Sequence, residues 1–237
     1  MATASIVTIG NEIVSGDVPN TNASWLAQRL ERLGIDVQLL VAVPDEIPRI
    51  AELVRAQAGQ ADLVLVTGGL GGTPDDVTRE ALAEAFGVEQ QEHAEVAAEL
   101  RARFHRDPGY AVQWARLPVG SRPLENPLGG APGFVIENVY VLPGLPAEME
   151  AMFEIVEREL PAERPIGSWR GKYRTTESQI VAVLQDAGGR HPEVRVGSYP
   201  SFGPSGSEVE VVLKSNDPAA LAAATAWIEQ ALADAIG

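Results

Sequence analysis

The stretch TGGLGGTPDDVT at residues 67–78 has the composition of a phosphate-binding loop. Its glycines are Gly68, Gly69, Gly71 and Gly72. Glycines permit positive φ and let backbone N–H groups approach an anion closely, and the N-terminus of a following helix adds its dipole. We also predict that the threonines of this stretch bind the ligand: Thr67, Thr73 and Thr78.

Two adjacent carboxylates, Asp75 and Asp76, follow the glycines and would repel a phosphate. A divalent cation such as Mg²⁺, Mn²⁺ or Co²⁺ removes this conflict if it bridges carboxylate and phosphate oxygens. The structural alternative is that Asp75 caps the next helix and Asp76 merely lies in its first turn. We expect the first arrangement, in which both aspartates are catalytic residues and metal ligands for a diphosphate.

A second polar cluster, GNEIVSGDVPNTNASW at residues 10–25, directly follows the first predicted strand. Glu12 offers a further carboxylate ligand for the metal. The other candidate binding residues here are Gly10, Asn11, Asn20, Thr21 and Asn22. Because the carboxyl ends of neighbouring parallel strands meet at one sheet edge, we expect this cluster to face the same crevice as the aspartates. The alternative is structural: Asn22 or Thr21 caps a helix.

A third cluster consists of NPLGGAPGF at residues 126–134 and LPGLPAEM at 142–149, two Gly/Pro turns that flank one predicted strand pair. Gly144 is the ligand-binding candidate here, in a loop that closes over the base or pterin side of a ligand. A rigid connection is the alternative. The chain lacks GK[ST] and GxGxxG motifs after its glycine-rich strand ends, which removes the main support for ATPase and dehydrogenase functions.

Hydrophobic periodicity up to about residue 160 alternates between two and about 3.6, which is typical of strands alternating with helices. This pattern predicts strands at 4–9, 35–43 and 62–67. It also predicts helices over 22–33, 45–58 and 75–86, and Asp45 is the predicted cap of the second helix. We further predict helices over 92–104 and 145–160, and a hairpin formed by 134–136 with 139–142. The strand DLVLVT is apolar on both faces, so we predict an α/β fold with a mainly parallel sheet sandwiched by helices.

The pattern changes after Pro161 and Pro165, which break the chain. Strands are predicted at 169–174, 194–198 and 208–214, with helices over 177–187 and 218–236. We therefore predict two domains: an α/β domain at 1–165 and a small α+β domain at 166–237.

The chain carries 33 acidic and 18 basic residues, a formal charge of −15. Such a surface repels polyanions, and without a run of Lys or Arg we expect no nucleic-acid binding. Lysine is confined to Lys172 and Lys214, and the acids are dispersed. This pattern favours a high-salt cytoplasm, in which screening suppresses self-repulsion; a GC-rich genome is the alternative cause of the arginine excess.

The chain has no cysteine, which excludes disulfides, thiolate metal sites and cysteine nucleophiles and fits a cytoplasmic protein. Its three histidines are far apart, so any metal is held mainly by oxygen. It has no apolar run of membrane-spanning length and no signal-like start, and we expect no membrane association. An apolar series within 106–118 predicts a partner surface and a homo-oligomer: Tyr110, Val112, Trp114 and Leu117.

With these clusters in this order, the chain resembles the CinA-like (competence/damage-inducible protein A) family, whose core is similar to the molybdopterin-binding domain of molybdenum cofactor biosynthesis proteins. The matching strings are GNEIVSG with NTN, TGGLGGTPDDVTREAL, NPLGGAPGF and LPGLPAEM. KYRTTES and GSYP in the tail resemble the small domain that follows in this family. The resemblance implies a molybdopterin-binding-like fold, a nucleotide or molybdopterin ligand, and metal-dependent hydrolysis of a diphosphate such as ADP-ribose.

Two departures limit what the resemblance implies. Asn20 stands where many family members have an aspartate, so one negative ligand is missing. Longer bacterial relatives also carry a C-terminal amidohydrolase domain acting on nicotinamide mononucleotide. The sequence contains no such domain, and we do not expect deamidase activity.

Three functions follow from these residues. The first is a nucleotide pyrophosphatase in which Asp75, Asp76 and Glu12 hold the metal; Asp76→Asn would then abolish turnover but leave the fold intact, because a cap contributes only about 1 kcal/mol. The second is a non-catalytic module that binds molybdopterin or a nucleotide. The third is adenylyl transfer to molybdopterin, which needs an ATP site. The sequence does not separate them.

Overall fold

The computed structural model describes residues 2–106, 108–161, 164–204 and 206–237. The chain forms two compact units. The larger consists of Met1–Glu31 and Ile35–Ala162, and the smaller of Arg32–Gly34 and Glu163–Gly237.

The larger unit alternates strands and helices along most of its length. Its strands are β1 (Thr3–Ile9), β2 (Asp36–Val43), β3 (Leu63–Thr67), β4 (Gln90–Glu92), β5 (Arg116–Pro118), β6 (Arg122–Leu124), β7 (Gly133–Ile136) and β8 (Val139–Leu142). Its helices are α1 (Asn11–Ser15), α2 (Thr21–Arg32), α3 (Ile47–Ala58), α4 (Thr78–Phe86), α5 (Ala94–Arg103), α6 (Pro108–Val112) and α7 (Pro146–Val156), with a 3-10 turn at Gln113–Ala115.

In the described residues, six of these strands form one sheet in the order β2-β1-β3-β8-β7-β6. The β1–β2, β1–β3 and β3–β8 pairs are parallel, and the β7–β8 and β6–β7 pairs are antiparallel. The predicted α/β class with a mainly parallel sheet is confirmed, as is the hairpin that joins β7 to β8. The parallel strands therefore end at one common edge.

Both faces of this sheet are covered. One face packs against α3 and α4 through buried side chains that include Val7, Val64, Val66, Ile50 and Leu82. Ile6 and Leu65 alternate with the first three and point to the other face, where they are also fully buried. Right-handed crossovers place α2 and α3 on opposite faces, and Trp25 of α2 meets Phe153 of α7 edge to face. The continuous apolar pattern of β3 reflects this double cover.

Two helices begin later than the sequence predicts. α3 begins at Ile47 rather than at 45, because the Asp45 carboxylate accepts the backbone N–H of Asn11 (2.7 Å) instead of capping the helix. α4 begins at Thr78 rather than at 75. The residues before it form a separate turn, so Asp75 is not its cap.

The predicted partner surface at residues 106–118 is wrong for two of its four side chains. Trp114 and Leu117 are 8% and 3% exposed, and Val112 is partly buried. Trp114 packs edge to face on Tyr110 of the same segment and on Phe104 just before it. Tyr110 alone of the four is exposed, so this segment no longer supports the predicted homo-oligomer.

The smaller unit is an antiparallel sheet with two helices. Its elements are β9 (Gly167–Tyr173), α8 (Glu177–Arg190), β10 (Arg195–Gly203), β11 (Gly206–Ser215) and α9 (Pro218–Ile236). The strand order is β10-β11-β9. Thr176 and Gln179 form a capping box on α8, and the Asp217 side chain caps α9. Over the described residues of the whole chain, no helix combines the length and apolarity needed to cross a bilayer.

Candidate functional site

A cleft of about 400 Å³ opens at the common edge where the parallel strands end. Residues just beyond each strand line it: Gly10 after β1, Asp45 after β2, Gly68 and Gly69 after β3, and Gly144 after β8. This is the edge at which open α/β sheets bind ligands. The structure thus brings parts of all three sequence clusters to one cavity.

The glycine-rich turn after β3 requires glycine at its first two positions. Gly68 and Gly69 both have positive φ, 111° and 64°. A Cβ built on Gly68 would lie 2.1 Å from the carbonyl oxygen of Ile9, and one on Gly69 would lie 2.3 Å from Thr78 Oγ1. A side chain at either position would push the turn away from β1 and α4, so these glycines hold the backbone at the cleft wall.

Asp76 closes this turn on itself. Its carboxylate accepts the N–H of Gly71 (2.9 Å), the N–H of Thr73 (2.8 Å) and the hydroxyl of Thr73 (2.5 Å). Asp76 also lines the cleft. The structure therefore gives it a positioning role that the sequence did not indicate, and Asp76→Asn is not expected to leave the loop intact.

Arg79 supports the turn from below. This side chain is 5% exposed, and its two terminal nitrogens donate to the carbonyl oxygens of Leu70 (2.8 Å) and Gly71 (2.7 Å). Burial lowers the pKa of the guanidinium, whereas the charges of Glu80 and Asp76 raise it. Because a guanidinium stays protonated in proteins, a fixed positive charge lies beneath the glycine-rich turn.

The cleft wall is strongly acidic. Its carboxylates are Glu12, Asp45, Asp75, Asp76 and Glu148. None of the described residues that line this cleft is a lysine or an arginine. An anionic ligand therefore meets backbone N–H groups and carboxylates here, and the carboxylates oppose its binding unless a cation accompanies it.

Two of these aspartates have shifted pKa values. Burial raises the pKa of Asp45; the N–H bond from Asn11 lowers it, and the negative charges of Glu12, Asp75 and Asp76 raise it. The net effect on the pKa of Asp45 is upward, with burial as the largest cause and the charges of the acidic wall as smaller ones. The neighbouring Thr73 side chain and the backbone N–H of Asp75 itself lower the pKa of Asp75, which stays ionised at neutral pH.

The oxygen-rich wall suits a hydrated divalent cation better than a preformed protein cage. Across the ranges that the structure describes, no three Asp, Glu or His side chains lie close enough to hold one ion together. Glu12, Asp75 and Asp76 are thus not gathered into the three-ligand set that the sequence predicted. Mg²⁺ characteristically keeps several waters and binds one or two carboxylates plus substrate phosphates, which is compatible with this wall.

A side pocket of about 100 Å³ adjoins the cleft and shares Glu12, Gly68 and Gly144 with it. Asn20 caps α2 here: its Oδ1 accepts the N–H of Ala23 and the hydroxyl of Thr8, both at 3.2 Å. The sequence predicted Asn22 or Thr21 as a helix cap, and neither caps α2. An aspartate at position 20 would offer the same acceptor, so the departure at Asn20 preserves the cap.

Asn22 and Thr67 tie three elements together at the floor of the side pocket. Thr67 Oγ1 donates to the carbonyl oxygen of Pro143 (2.8 Å), and Asn22 Nδ2 donates to Thr67 Oγ1 (3.1 Å) and to the carbonyl oxygen of Gly144 (2.8 Å). Thr67 is fully buried. Thr67 therefore positions the loop after β8, and Asn22 joins that loop to α2.

Four predicted binding residues line neither the cleft nor the side pocket. Gly72 and Thr73 line a separate groove on the far side of the turn. Thr78 is buried, and its hydroxyl donates to the carbonyl oxygen of Gly68 (2.8 Å). Asn11 forms hydrogen bonds with Asp45: its backbone N–H donates to the Asp45 carboxylate, and its Oδ1 accepts the backbone N–H of Asp45.

Sequence reasoning missed four residues that shape the site: Asp45, Arg79, Trp114 and Glu148. Asp45 follows a predicted parallel strand, so the rule that pointed to Glu12 and Asp75 also pointed to it. Glu148 stands in LPGLPAEM, and Asn126 Nδ2 holds its carboxylate at 2.9 Å. No sequence pattern placed Arg79 under the turn or Trp114 at the cleft wall.

Comparisons with known proteins identify the family of the chain. Residues 5–162 match the family described as probable molybdopterin binding domain. The crystal structure of the protein CinA with unknown function from Thermoplasma acidophilum is 34% identical, with a TM-score of 0.64, over 67% of this chain and 97% of that one. The chain belongs to the CinA-like family.

Other similarities extend this assignment. A protein of Archaeoglobus fulgidus is 42% identical over 199 residues, 84% of this CinA-like chain and 86% of the relative. A CinA-like protein of Frankia casuarinae is 39% identical over 163 residues, 63% of this chain and 38% of that protein. The chain therefore matches less than half the length of this longer relative. Residues 172–236 match the middle domain of FAD synthase.

Proposed function

We propose that this CinA-like protein is a divalent-metal-dependent nucleotide pyrophosphatase acting on a diphosphate such as ADP-ribose. One observation carries the proposal: the cleft joins a glycine-rich turn, with a buried cation beneath it, to a wall of carboxylates. The turn favours a phosphate, and the wall requires a cation between itself and that phosphate. A diphosphate with its cation satisfies both.

Each group then has a distinct task. A bound divalent ion supplies charge neutralisation of the diphosphate and activation of water. The glycine-rich turn would orient one phosphate through its backbone N–H groups, and Glu12 and the ionised Asp75 are the residues that would hold the cation. Asp45, whose pKa is raised, accepts the proton of the attacking water as its oxygen bonds to phosphorus. The bridging P–O bond breaks, and ADP-ribose yields AMP and ribose 5-phosphate.

The second candidate is a module that binds a nucleotide or molybdopterin without catalysis. It is favoured by the carboxylate of Asp76, which is engaged by its own loop, and by the lack of three gathered ligands in the described residues. The larger unit's match to a probable molybdopterin binding domain supports a small-molecule ligand in either case.

A turnover screen separates the two candidates. Purified protein is incubated with ADP-ribose, and with FAD because of the match to FAD synthase, each with Mg²⁺, Mn²⁺ or Co²⁺. Chromatography of the products should show AMP only when a cation is present. Asp75→Asn should abolish it, and Glu84→Gln, an exposed acid on α4 away from the cleft, should not. Binding without cleavage would favour the module, and no binding would contradict both.

A further inference from the structure

Glu148 stands apart from the other carboxylates of the cleft. After burial, the charges of three cleft acids raise the pKa of Asp45: Glu12, Asp75 and Asp76. The charge of Glu148 is not among these causes, although Glu148 lines the same cleft. The cleft therefore has two ends, one with four acids that act on one another and one with Glu148 alone.

Two features fix the Glu148 carboxylate in place. The buried Asn126 donates through Nδ2 to Glu148 Oε2 (2.9 Å) and to the carbonyl oxygen of Ala131 (3.0 Å). Its Oδ1 accepts the N–H of Leu128 (3.0 Å), so the amide cannot rotate without losing all three bonds. Gly130 leaves the space that the carboxylate occupies, since a Cβ there would lie 2.3 Å from Oε1. Glu148 is thus held at the wall by its surroundings.

The second oxygen of this carboxylate is accessible. Glu148 is half-buried, and its Oε1 accepts no hydrogen bond from the residues that the structure describes. Oε1 is also not one of the buried side-chain atoms that lack a partner, so it is open to solvent. It lies against Gly130, which lines the cleft as Glu148 does. A carboxylate offers about four acceptor positions, and Asn126 uses one, so Glu148 can accept two neighbouring hydrogen bonds from a ligand.

The surroundings of Glu148 suit an uncharged part of a ligand. Gly130, Ala131 and Leu145 line the cleft near it, and no lysine or arginine is among the described lining residues. A phosphate would meet a negative charge here with no cationic side chain to offset it. Two adjacent uncharged donors would instead match the two oxygens of the carboxylate. A ribose carries such a pair in its hydroxyls, and a guanine-type base carries one in its amino group and ring N–H.

We infer that Glu148 determines the specificity of the cleft by accepting hydrogen bonds from two adjacent uncharged donors of the ligand. The inference rests on the proposed function, because it assumes that the diphosphate and its cation occupy the end with the four acids. Adenine has a single donor group on its edge, beside acceptors. ADP-ribose would therefore satisfy Glu148 through a ribose, whereas a guanine nucleotide could also do so through its base.

A set of ligands identifies the donors. With Mg²⁺ present, calorimetry compares ADP-ribose, ADP, 2′-deoxyADP, GDP and 2′-deoxyGDP, and inorganic pyrophosphate serves as a diphosphate without sugar or base. Hydrogen bonds to a charged group should make the preferred ligands bind about tenfold more tightly or better. A nucleoside ribose as the source favours ADP over 2′-deoxyADP, a base favours GDP over ADP, and the terminal ribose favours ADP-ribose over ADP. Equal affinity for all five nucleotides would overturn the inference.

Glu148→Gln assigns this preference to the carboxylate. Because Asn126 Nδ2 needs an acceptor, the glutamine turns its carbonyl oxygen toward Asn126 and its NH₂ group toward the cleft, where it opposes the donors of the ligand. The preference should disappear, whereas Mg²⁺ with pyrophosphate should bind the variant and the wild-type protein alike. Glu154→Gln is the matched control, because it removes the same charge from an exposed position of α7 that does not line the cleft. It should keep the preference.

Gly130→Ala tests the same carboxylate without changing its charge. The φ of Gly130 is not positive, so alanine suits the backbone, and its methyl group would displace the Glu148 carboxylate. This variant should also lose the preference, and it decides if circular dichroism shows that Glu148→Gln does not fold.

Two results would overturn the inference and leave the pyrophosphatase proposal standing. One is a preference that persists in the folded variant. The other is a matching loss of pyrophosphate binding in Glu148→Gln, which would make Glu148 a ligand of the cation. Failure of the wild-type protein to bind any of these ligands with Mg²⁺ would overturn both proposals.

Discussion

Replacing Arg79 by methionine should weaken both the fold and the ligand site. The change removes a buried cation and its bonds to the carbonyl oxygens of Leu70 and Gly71, while an unbranched apolar side chain still fills the space. Hydrogen bonds to charged groups contribute about 1.5–3 kcal/mol each, so the two together contribute about 3–6 kcal/mol. Burial of the guanidinium, which lowers its pKa, offsets part of this. We expect a net loss of about 2–3 kcal/mol.

Urea unfolding measures this loss, and calorimetric titration with ADP-ribose and Mg²⁺ measures the effect on the site. Arg79→Lys should be intermediate, because an ammonium keeps the charge but cannot reach both carbonyls as a planar fork does. Arg55→Met is the matched control: Arg55 also donates to two backbone carbonyls, of Ala85 and Glu84, but away from the cleft. It should lower stability without changing affinity. Unchanged affinity in Arg79→Met would refute the role given to this cation.

The remaining predictions concern charge and association. Because the pKa of Asp45 is raised in the folded state, the stability of the wild-type protein falls as the pH rises from the ordinary pKa of an aspartate through the raised pKa. Asp45→Asn should therefore raise Tm at about pH 7 but not at about pH 3. An unchanged Tm at neutral pH would contradict this prediction. Raising KCl from about 0.1 M to about 1 M shortens the Debye length from about 10 Å to about 3 Å and should raise Tm; an unchanged Tm would contradict the high-salt hypothesis. Exposed Leu128, Leu145 and Phe202 keep the homo-oligomer a prediction, and light scattering that gives 25.2 kDa would contradict it.

Much of the fold could be predicted because its signals are local. The apolar run of β3 and the stripe of α2 follow directly from periodicity and burial. The common strand edge could be predicted because the carboxyl ends of neighbouring parallel strands meet, and Glu12 and Asp75 both line the cleft at this edge.

The parts that could not be predicted depend on contacts between distant residues. Asp76 was predicted to hold a metal ion, because sequence alone does not show that its carboxylate turns back to Gly71 and Thr73. Trp114 looked like a partner surface because its burial depends on Phe104, ten positions earlier.

The central claim is that a divalent cation joins the carboxylates of the cleft to a diphosphate. Calorimetric titration of the protein with ADP-ribose, first with Mg²⁺ and then in excess EDTA, tests it most directly. Binding should be strong with Mg²⁺ and lost in EDTA, since the acidic wall then repels the ligand. Equal affinity in the two conditions would contradict the claim.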